Sequence, residues 1–191
     1  MYVEHFDWQV PMFGVADGVL SSDDCESLIA TATGSTWLPA TINGPDGRYR
    51  NERVRNNDLA LISDAALAAR LTERVAAAVP PKMFGLAFHS IHPSLRVYRY
   101  QAGQYFAPHS DQPYFDDDGR QSRLTLIVYL DSACVGGETA FLELNGSSGE
   151  PPLVITPTVG KLLWFQHMLV HEGRRVESGH KHVLRTDAIY A

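Results

Sequence analysis

Cysteine is almost absent: Cys25 and Cys134 are the only two in 191 residues. They lie far apart and in no CxxC arrangement, which excludes a disulfide framework and a cysteine zinc site and makes reduced, cytoplasmic thiols the default. Cys134, in "YLDSACVGGE", has no base beside it in sequence and does not read as a nucleophile. Positive charge is also scarce, with 16 Lys and Arg against 22 Asp and Glu, a net charge of -6 and a pI near 5.7. A nucleic-acid partner would need a basic stripe that this chain lacks. No apolar run is long enough to span a bilayer, because charges interrupt each one. The opening "MYVEHFDWQVPMFGV" carries an acid and no positive n-region, so it does not read as a signal peptide. These absences lead us to expect a cytoplasmic protein with no nucleic-acid and no membrane partner. Internal repeats and low-complexity linkers are absent too, and a single domain over residues 1–191 is expected. Oligomeric state stays open.

What is present changes character near residue 85. Residues 1–85 read as helical support with an intervening loop. "VLSSDDCESLIATAT" places Ser21 or Ser22 as an N-cap with acids in the first turn. "NDLALISDAALAARLTERVAAAVPP" offers Asp58 or Ser63 as a cap, a stripe of Leu67, Leu71 and Val75, and a stop at Pro80-Pro81. Between them, "TINGPDGRYRNERVRNN" reads as an exposed loop or hairpin. Over residues 86–191 the period becomes two: "LRVYRYQ", "SRLTLIVYLD", "GETAFLEL", "PLVITPTVGKLLWFQ" and "HKHVLRTDAIY" are short strand-forming runs. The fold class implied is mainly β with flanking helices: an antiparallel jelly roll, or double-stranded β-helix, preceded by two supporting α-helices.

The chemistry gathers around "APHSDQPYFDDDGRQ". His109 and Asp111 stand at i and i+2, so in an extended stretch both can face one point. Two histidines and one carboxylate on one face, with open positions opposite, form the ligand set of non-haem Fe(II) oxygenases. "WFQHMLVHEGRRV" supplies the third ligand, and His171, read at a strand end before the turn at "EG", is preferred to His167. A zincin pair would need Glu directly after His167, where Met168 stands. His167 is expected to be a packed strand histidine bonded to backbone. His89 and His92 read as surface residues, and His180 and His182 fall on the face opposite Lys181. Asp116, Asp117 and Asp118 read as a solvated turn.

Taken in order, "YRYQAGQYFAPHSD", "GGETAF", "TPTVGKLLWFQHMLVHEG" and "GHKHVLRTDAIY" resemble the prolyl 4-hydroxylase-like branch of the Fe(II)/2-oxoglutarate-dependent dioxygenases. The likeness covers roughly Arg96 to the C-terminus. It implies Fe(II) on His109, Asp111 and His171, with 2-oxoglutarate as co-substrate, O2 as oxidant and ascorbate as reductant. It further implies hydroxylation of a C–H bond, with release of succinate and CO2. The distal carboxylate of a buried dianion needs a fixed cation. Lys181 is the family-matched choice, with Arg185, on the same strand face, held second or as a substrate anchor. The resemblance makes Tyr129 a donor to that carboxylate. Thr125 shares its strand face, and Tyr100 is carried as a further residue of the pocket.

The substrate is less legible. Arg48, Arg50, Arg53 and Arg55 cluster in an otherwise acidic chain, and Arg55, Asn56 and Asn57 are the preferred substrate-binding residues of that loop. A prolyl or other peptide side chain and a small amino-acid-like metabolite both remain open. "HVLRTDAIY" departs from the Trp-bearing strand typical of prolyl 4-hydroxylases. Two other classes stand beside the oxygenase: a cupin-like metal protein and a non-catalytic 2-oxoglutarate-binding sensor domain. Lys181 and Tyr129 argue against the cupin, whose chemistry needs no buried cation deep in the barrel.

Overall fold

A computed structural model describes residues 5–142, 144 and 151–191. The chain opens with β1 (Phe13–Ala16), α1 (Ser22–Thr33), β2 (Leu38–Pro39) and a hairpin of β3 (Ile42–Gly44) and β4 (Gly47–Tyr49). β5 (Asp58–Ser63), α2 (Ala65–Val75) and β6 (Lys82–Met83) follow. Then come β7 (Leu86–Ile91), β8 (Ser94–Gln101), β9 (Phe106–His109), β10 (Gln121–Tyr129), β11 (Cys134–Gly136) and β12 (Thr139–Phe141). The last strands are β13 (Leu153–Ile155), β14 (Leu162–Gln166), β15 (His171–Gly173) and β16 (Val176–Tyr190). Residues 1–4 of the opening "MYVEHFDWQVPMFGV", and Glu143 in the expected strand "GETAFLEL", lie outside the described residues.

Both helices form where short polar side chains satisfy their free N–H groups. Ser21 Oγ accepts the Asp24 N–H at 3.1 Å and Asp24 accepts the Ser21 N–H at 3.1 Å, a reciprocal box worth about 1 kcal/mol. The second helix begins later than expected. Asp64, not Asp58 or Ser63, caps it by accepting the Leu67 N–H at 2.9 Å. "DLALIS" is instead strand β5, paired with β8 from Asp58↔Arg99 to Ser63↔Ser94. Its four-residue apolar run, Leu59 to Ile62, fits either period, and pairing with β8 decides it. The first 85 residues therefore contribute strands to the main sheet as well as helices, and β5–β8 pairing crosses the expected boundary at residue 85.

Two antiparallel sheets face one another as a jelly roll. The larger runs β1-β14-β10-β16-β8-β5-β2, with β11 and β7 also on β16 and β6 on β7. The smaller runs β13-β12-β15-β9. Alternation along the central strands divides two cores. Leu124, Leu126, Val128 and Leu184 pack toward the helices against Cys25, Leu28, Leu71 and Val75. Tyr129, Val183, Leu163 and Phe165 point the other way, between the sheets, with Tyr100, Phe141 and Leu169. Because every second residue of β8, β10 and β16 faces the smaller sheet, the space between the sheets is where polar side chains can converge.

Candidate active site

A cavity of about 490 Å³ opens between the sheets. The larger sheet lines it with Tyr98, Tyr100, Thr125, Ile127, Lys181, Val183 and Arg185, and the smaller with Phe106, His109, Thr139 and His171. His109 and His171 are direct cross-strand partners on β9 and β15, so backbone pairing alone brings their rings to a centroid distance of 4.2 Å. His171 is the first residue of β15 rather than the end of a strand. The chain leaves β14 through a turn closed by Leu169 N–H to Gln166 O at 2.9 Å, and burial of Leu169 between the sheets carries it to the smaller sheet.

Asp111 lies just beyond β9, its N–H bonded to His167 O at 2.9 Å. Its carboxylate oxygens are 3.8 Å from His109 Nε2 and 3.9 Å from His171 Nε2. Each imidazole directs Nδ1–H to a nearby carbonyl, Ala107 O and Leu169 O, both at 2.9 Å. That tautomer leaves both Nε2 lone pairs facing Asp111. Burial first, and then His171, pushes His109 down to about 3, and burial likewise lowers His171. Burial pushes the Asp111 carboxyl up, but Arg185, both histidines and the Thr125 hydroxyl outweigh it and hold the group below the usual carboxylate range. At neutral pH the trio is two neutral imidazoles and one carboxylate, a deprotonated donor set that could hold a divalent ion.

Behind Asp111 stands a chain of side chains of which sequence reasoning named only Thr125, as a residue of the co-substrate pocket and not as a partner of Asp111. Tyr114 N–H bonds Ser122 Oγ at 2.7 Å, and Ser122 Oγ lies 2.8 Å from His167 Nε2. His167 Nδ1 lies 2.9 Å from Thr125 Oγ1, which donates to Asp111 Oδ2 at 2.5 Å. A hydroxyl has one proton, so Thr125 must accept from His167 Nδ1–H while it donates to Asp111. His167, pushed down to about 4 by burial, is thus neutral with its proton on Nδ1. It is bonded to side chains, contrary to the expected backbone contact, and the second hydroxyl four residues before Tyr129 was the available clue.

The two basic residues of β16 differ in their partners. Arg185 Nη2 lies 3.2 Å from Asp111 Oδ2 and 3.0 Å from Asp187 Oδ1, and Asp187 also meets Arg96 at 3.3 Å. Lys181, only 2% exposed, has no carboxylate within 4.0 Å among the described residues. Its ammonium donates to Gly137 O and sits 4.4 Å over the Tyr100 ring, and burial pushes it down to about 8. Gly137 has φ +73°, a left-handed conformation that favours glycine, and a Cβ there would crowd Val176 at 3.0 Å. A buried ammonium with no counter-ion fits the distal carboxylate of a dianion. Tyr129 does not itself line the cavity. Its hydroxyl donates to Thr139 Oγ1 at 2.7 Å, and Thr139 does. Burial lifts the Tyr100 phenol to about 12, so it stays a proton donor.

The loop residues separate by role. Arg55 is buried and lines the cavity. Asn57, also buried, accepts from Arg55 Nε at 3.1 Å. Asn56 is turned away from the cavity, holding the Tyr105 N–H at 2.9 Å and, through its carbonyl, Gln104 at 2.7 Å. It ties the loop to the turn before β9 instead of presenting an amide inward. Arg48 lines the cavity, whereas Arg50 pairs with Glu52 at the surface. Tyr114 also lines it, stacked edge-on against His92 with centroids 4.4 Å apart. His180 and His182 lie on the reverse face of β16 beside Asp131, the latter bonded to it at 2.6 Å. The Asp116–Asp118 turn is paired with Arg120.

Among the described residues no helix is long and apolar enough to cross a membrane. Comparison with known proteins matches residues 95–186 to the family model of the 2OG-Fe(II) oxygenase superfamily. A probable prolyl 4-hydroxylase 3 of Arabidopsis thaliana is 27% identical over 87% of this chain and 62% of its own length. Prolyl 4-hydroxylase 5 of that plant is 28% identical over 79% of this chain and 51% of its own. The chain thus spans between half and two thirds of the length of these relatives. Among solved structures, the viral collagen prolyl hydroxylase of Paramecium bursaria Chlorella virus-1, as its 2OG complex, superposes with a TM-score of 0.68. That pair is 23% identical over 96% of this chain and 98% of the other. A Pseudomonas putida prolyl-4-hydroxylase gives 0.67 at 16% identity, over 95% and 94% of the two chains. With the ordered motifs and the inter-sheet histidine–aspartate trio, these matches show that the chain resembles the 2OG-Fe(II) oxygenase superfamily, in its prolyl 4-hydroxylase-like branch.

Proposed function

We propose that this protein is a 2-oxoglutarate-dependent dioxygenase that hydroxylates a C–H bond. The observation that carries the reading is the presence, in one cavity, of the deprotonated His109–Asp111–His171 trio and the buried, carboxylate-free Lys181. His109, Asp111 and His171 hold Fe(II). Lys181 pairs with the distal carboxylate of 2-oxoglutarate, assisted by Tyr100 and by the Tyr129–Thr139 hydroxyl pair. Together, the bound metal and co-substrate supply the oxidation, with one atom of O2 entering the substrate and the other entering succinate as CO2 leaves. Ascorbate serves as the reductant that keeps the iron ferrous.

The chain's own residues bind and orient. Thr125 and Arg185 fix the Asp111 carboxylate so that it need not reorganise when metal arrives. Ile127, Val183 and Phe106 give the cavity an apolar wall, beside which an ionic contact is stronger than in open water. The substrate is a prolyl or other peptide side chain, or a small amino-acid-like metabolite. One related structure, a prolyl hydroxylase from Trichoplax adhaerens, holds a peptide fragment of hypoxia inducible factor, which supports the peptide option. A cytoplasmic location fits the unpaired cysteines.

An anaerobic titration tests the proposal. Fe(II) and then 2-oxoglutarate are added, and the visible metal-to-ligand charge-transfer band is followed. The band should appear in the wild type, vanish in Asp111→Ala and demand far more co-substrate in Lys181→Ala. Its absence from the wild type at every co-substrate concentration would overturn the reading in favour of a cupin-like metal protein.

A further inference from the structure

We infer that the substrate carries a carboxylate and that Arg55 is the residue that binds it. That the bound anion is a substrate rests on the oxygenase reading above, whereas the anion site rests on the surroundings of Arg55.

Arg55 is 5% exposed, yet it lines the cavity. It has no carboxylate within 4.0 Å among the described residues, and its Nη2 is buried with no hydrogen-bond partner. Lys181 is the other carboxylate-free buried cation of the cavity and is taken by 2-oxoglutarate in the reading above, while the carboxylates of the wall already have partners. Asp111 meets Arg185, Asp187 meets Arg96 and Arg185, and Glu172 meets Arg174. A buried guanidinium is costly unless an anion pairs with it, and among the described residues the fold provides only neutral partners, Asn57 and the Tyr100 hydroxyl.

The fold does, however, hold this guanidinium rigidly. Asn57, 1% exposed, accepts from Nε. The guanidinium carbon lies 4.6 Å from the Tyr98 ring centroid and 4.0 Å from that of Phe106. Aromatic faces stabilise the cation from either side and leave the buried Nη2 without a partner. His109 stacks on Phe106 at 3.5 Å between centroids. Two planar groups this close to one ring cannot share a face, so Arg55 and His109 lie on opposite sides of Phe106. Arg55 is therefore one aromatic thickness from a metal ligand, close enough to anchor a molecule whose reacting carbon faces the trio. Arg48 adds a second cation to the same wall.

A carboxylate suits this site better than a phosphate. One guanidinium with an unpartnered Nη2 matches a single planar anion. A dianion would leave a surplus negative charge beside Asp111, Asp187 and Glu172.

The test uses trifluoroacetate as the carboxylate probe on the full chain loaded with Zn(II) and 2-oxoglutarate, read by fluorine NMR line broadening. Wild type, Arg55→Gln and Arg55→Lys are compared, and the anaerobic Fe(II) charge-transfer band of each reports its fold and co-substrate binding. Trifluoroacetate affinity should fall about tenfold in Arg55→Gln, the loss of one charge-assisted pair, and less in Arg55→Lys, with the band unchanged in both. Equal trifluoroacetate binding in wild type and Arg55→Gln would overturn the inference. So would a weakened band in both variants, because Arg55 would then serve 2-oxoglutarate. A wild type without the band that still binds trifluoroacetate through Arg55 would uphold the anion site and remove the oxygenase reading beneath it.

Discussion

Arg185 Nη2 lies 3.2 Å from Asp111 Oδ2, joining the last strand of the main sheet to the carboxylate between the two histidines. The contact exists because β16 pairs with β10 in a register that sets Arg185 opposite Ile127 and Asp187 opposite Thr125. Arg185→Met would leave Asp111 and Asp187 buried beside each other without their shared cation. Breaking such a buried pair from one side costs about 3–5 kcal/mol, and loss of an outer partner costs about 10–100-fold in metal affinity. Chemical denaturation and Zn(II) titration would measure both. Unchanged metal affinity in a folded variant would show that Arg185 does not orient Asp111.

Thr125→Val keeps the shape of the side chain and removes the hydroxyl that links His167 to Asp111. Metal affinity should fall by about tenfold, and stability by about 1–3 kcal/mol because His167 Nδ1–H loses its acceptor. His167→Phe should reproduce the metal defect, since its effect reaches Asp111 through Thr125. Calorimetric Zn(II) binding to both variants checks this, and a normal affinity in either breaks the proposed chain of contacts.

Lys181 gives a pH dependence with a defined sign. Burial brings it from 10.5 to about 8 in the native state, so between those values the unfolded chain holds a proton that the folded chain does not. Stability should therefore rise with pH across that window, and the full cost of the buried charge, about 3 kcal/mol, is felt below it. Lys181→Met should flatten this rise and should not destabilise the ligand-free protein at neutral pH. Co-substrate affinity should move oppositely, weakening by roughly tenfold per pH unit above about 8 as the ammonium is lost. Urea melts and charge-transfer titrations across that range would check both halves.

Gly160 is a purely structural test. It has φ +75°, and an added Cβ would fall 2.0 Å from Leu20 O, where the Val19 N–H also bonds Gly160 O at 2.9 Å. Gly160→Ala should cost roughly 1–3 kcal/mol from backbone strain alone, lowering the melting temperature with little change in metal affinity per folded molecule. A variant as stable as wild type would mean that the loop before β14 shifts freely.

Much of this protein was legible before any coordinates. Strand period, turn residues and caps are local, so the jelly-roll strands, α1 with Ser21 and the histidine–aspartate spacing could be read directly from the residues. Asp58–Ser63 could not, because six apolar-rich residues before a helix satisfy either period until a partner strand claims them. His171 was found by type and order, yet its place at the start of β15 depended on where Leu169 could be buried. His167 looked expendable because its partners, Ser122 and Thr125, lie on another strand. The choice between Lys181 and Arg185 had the same origin. Two cations spaced four apart on one strand face are equivalent in sequence. Strand register and the crossing of the two sheets set Arg185 against Asp111 and Asp187 and left Lys181 buried without a carboxylate, because long-range pairing, unlike period, is decided only when the whole chain packs.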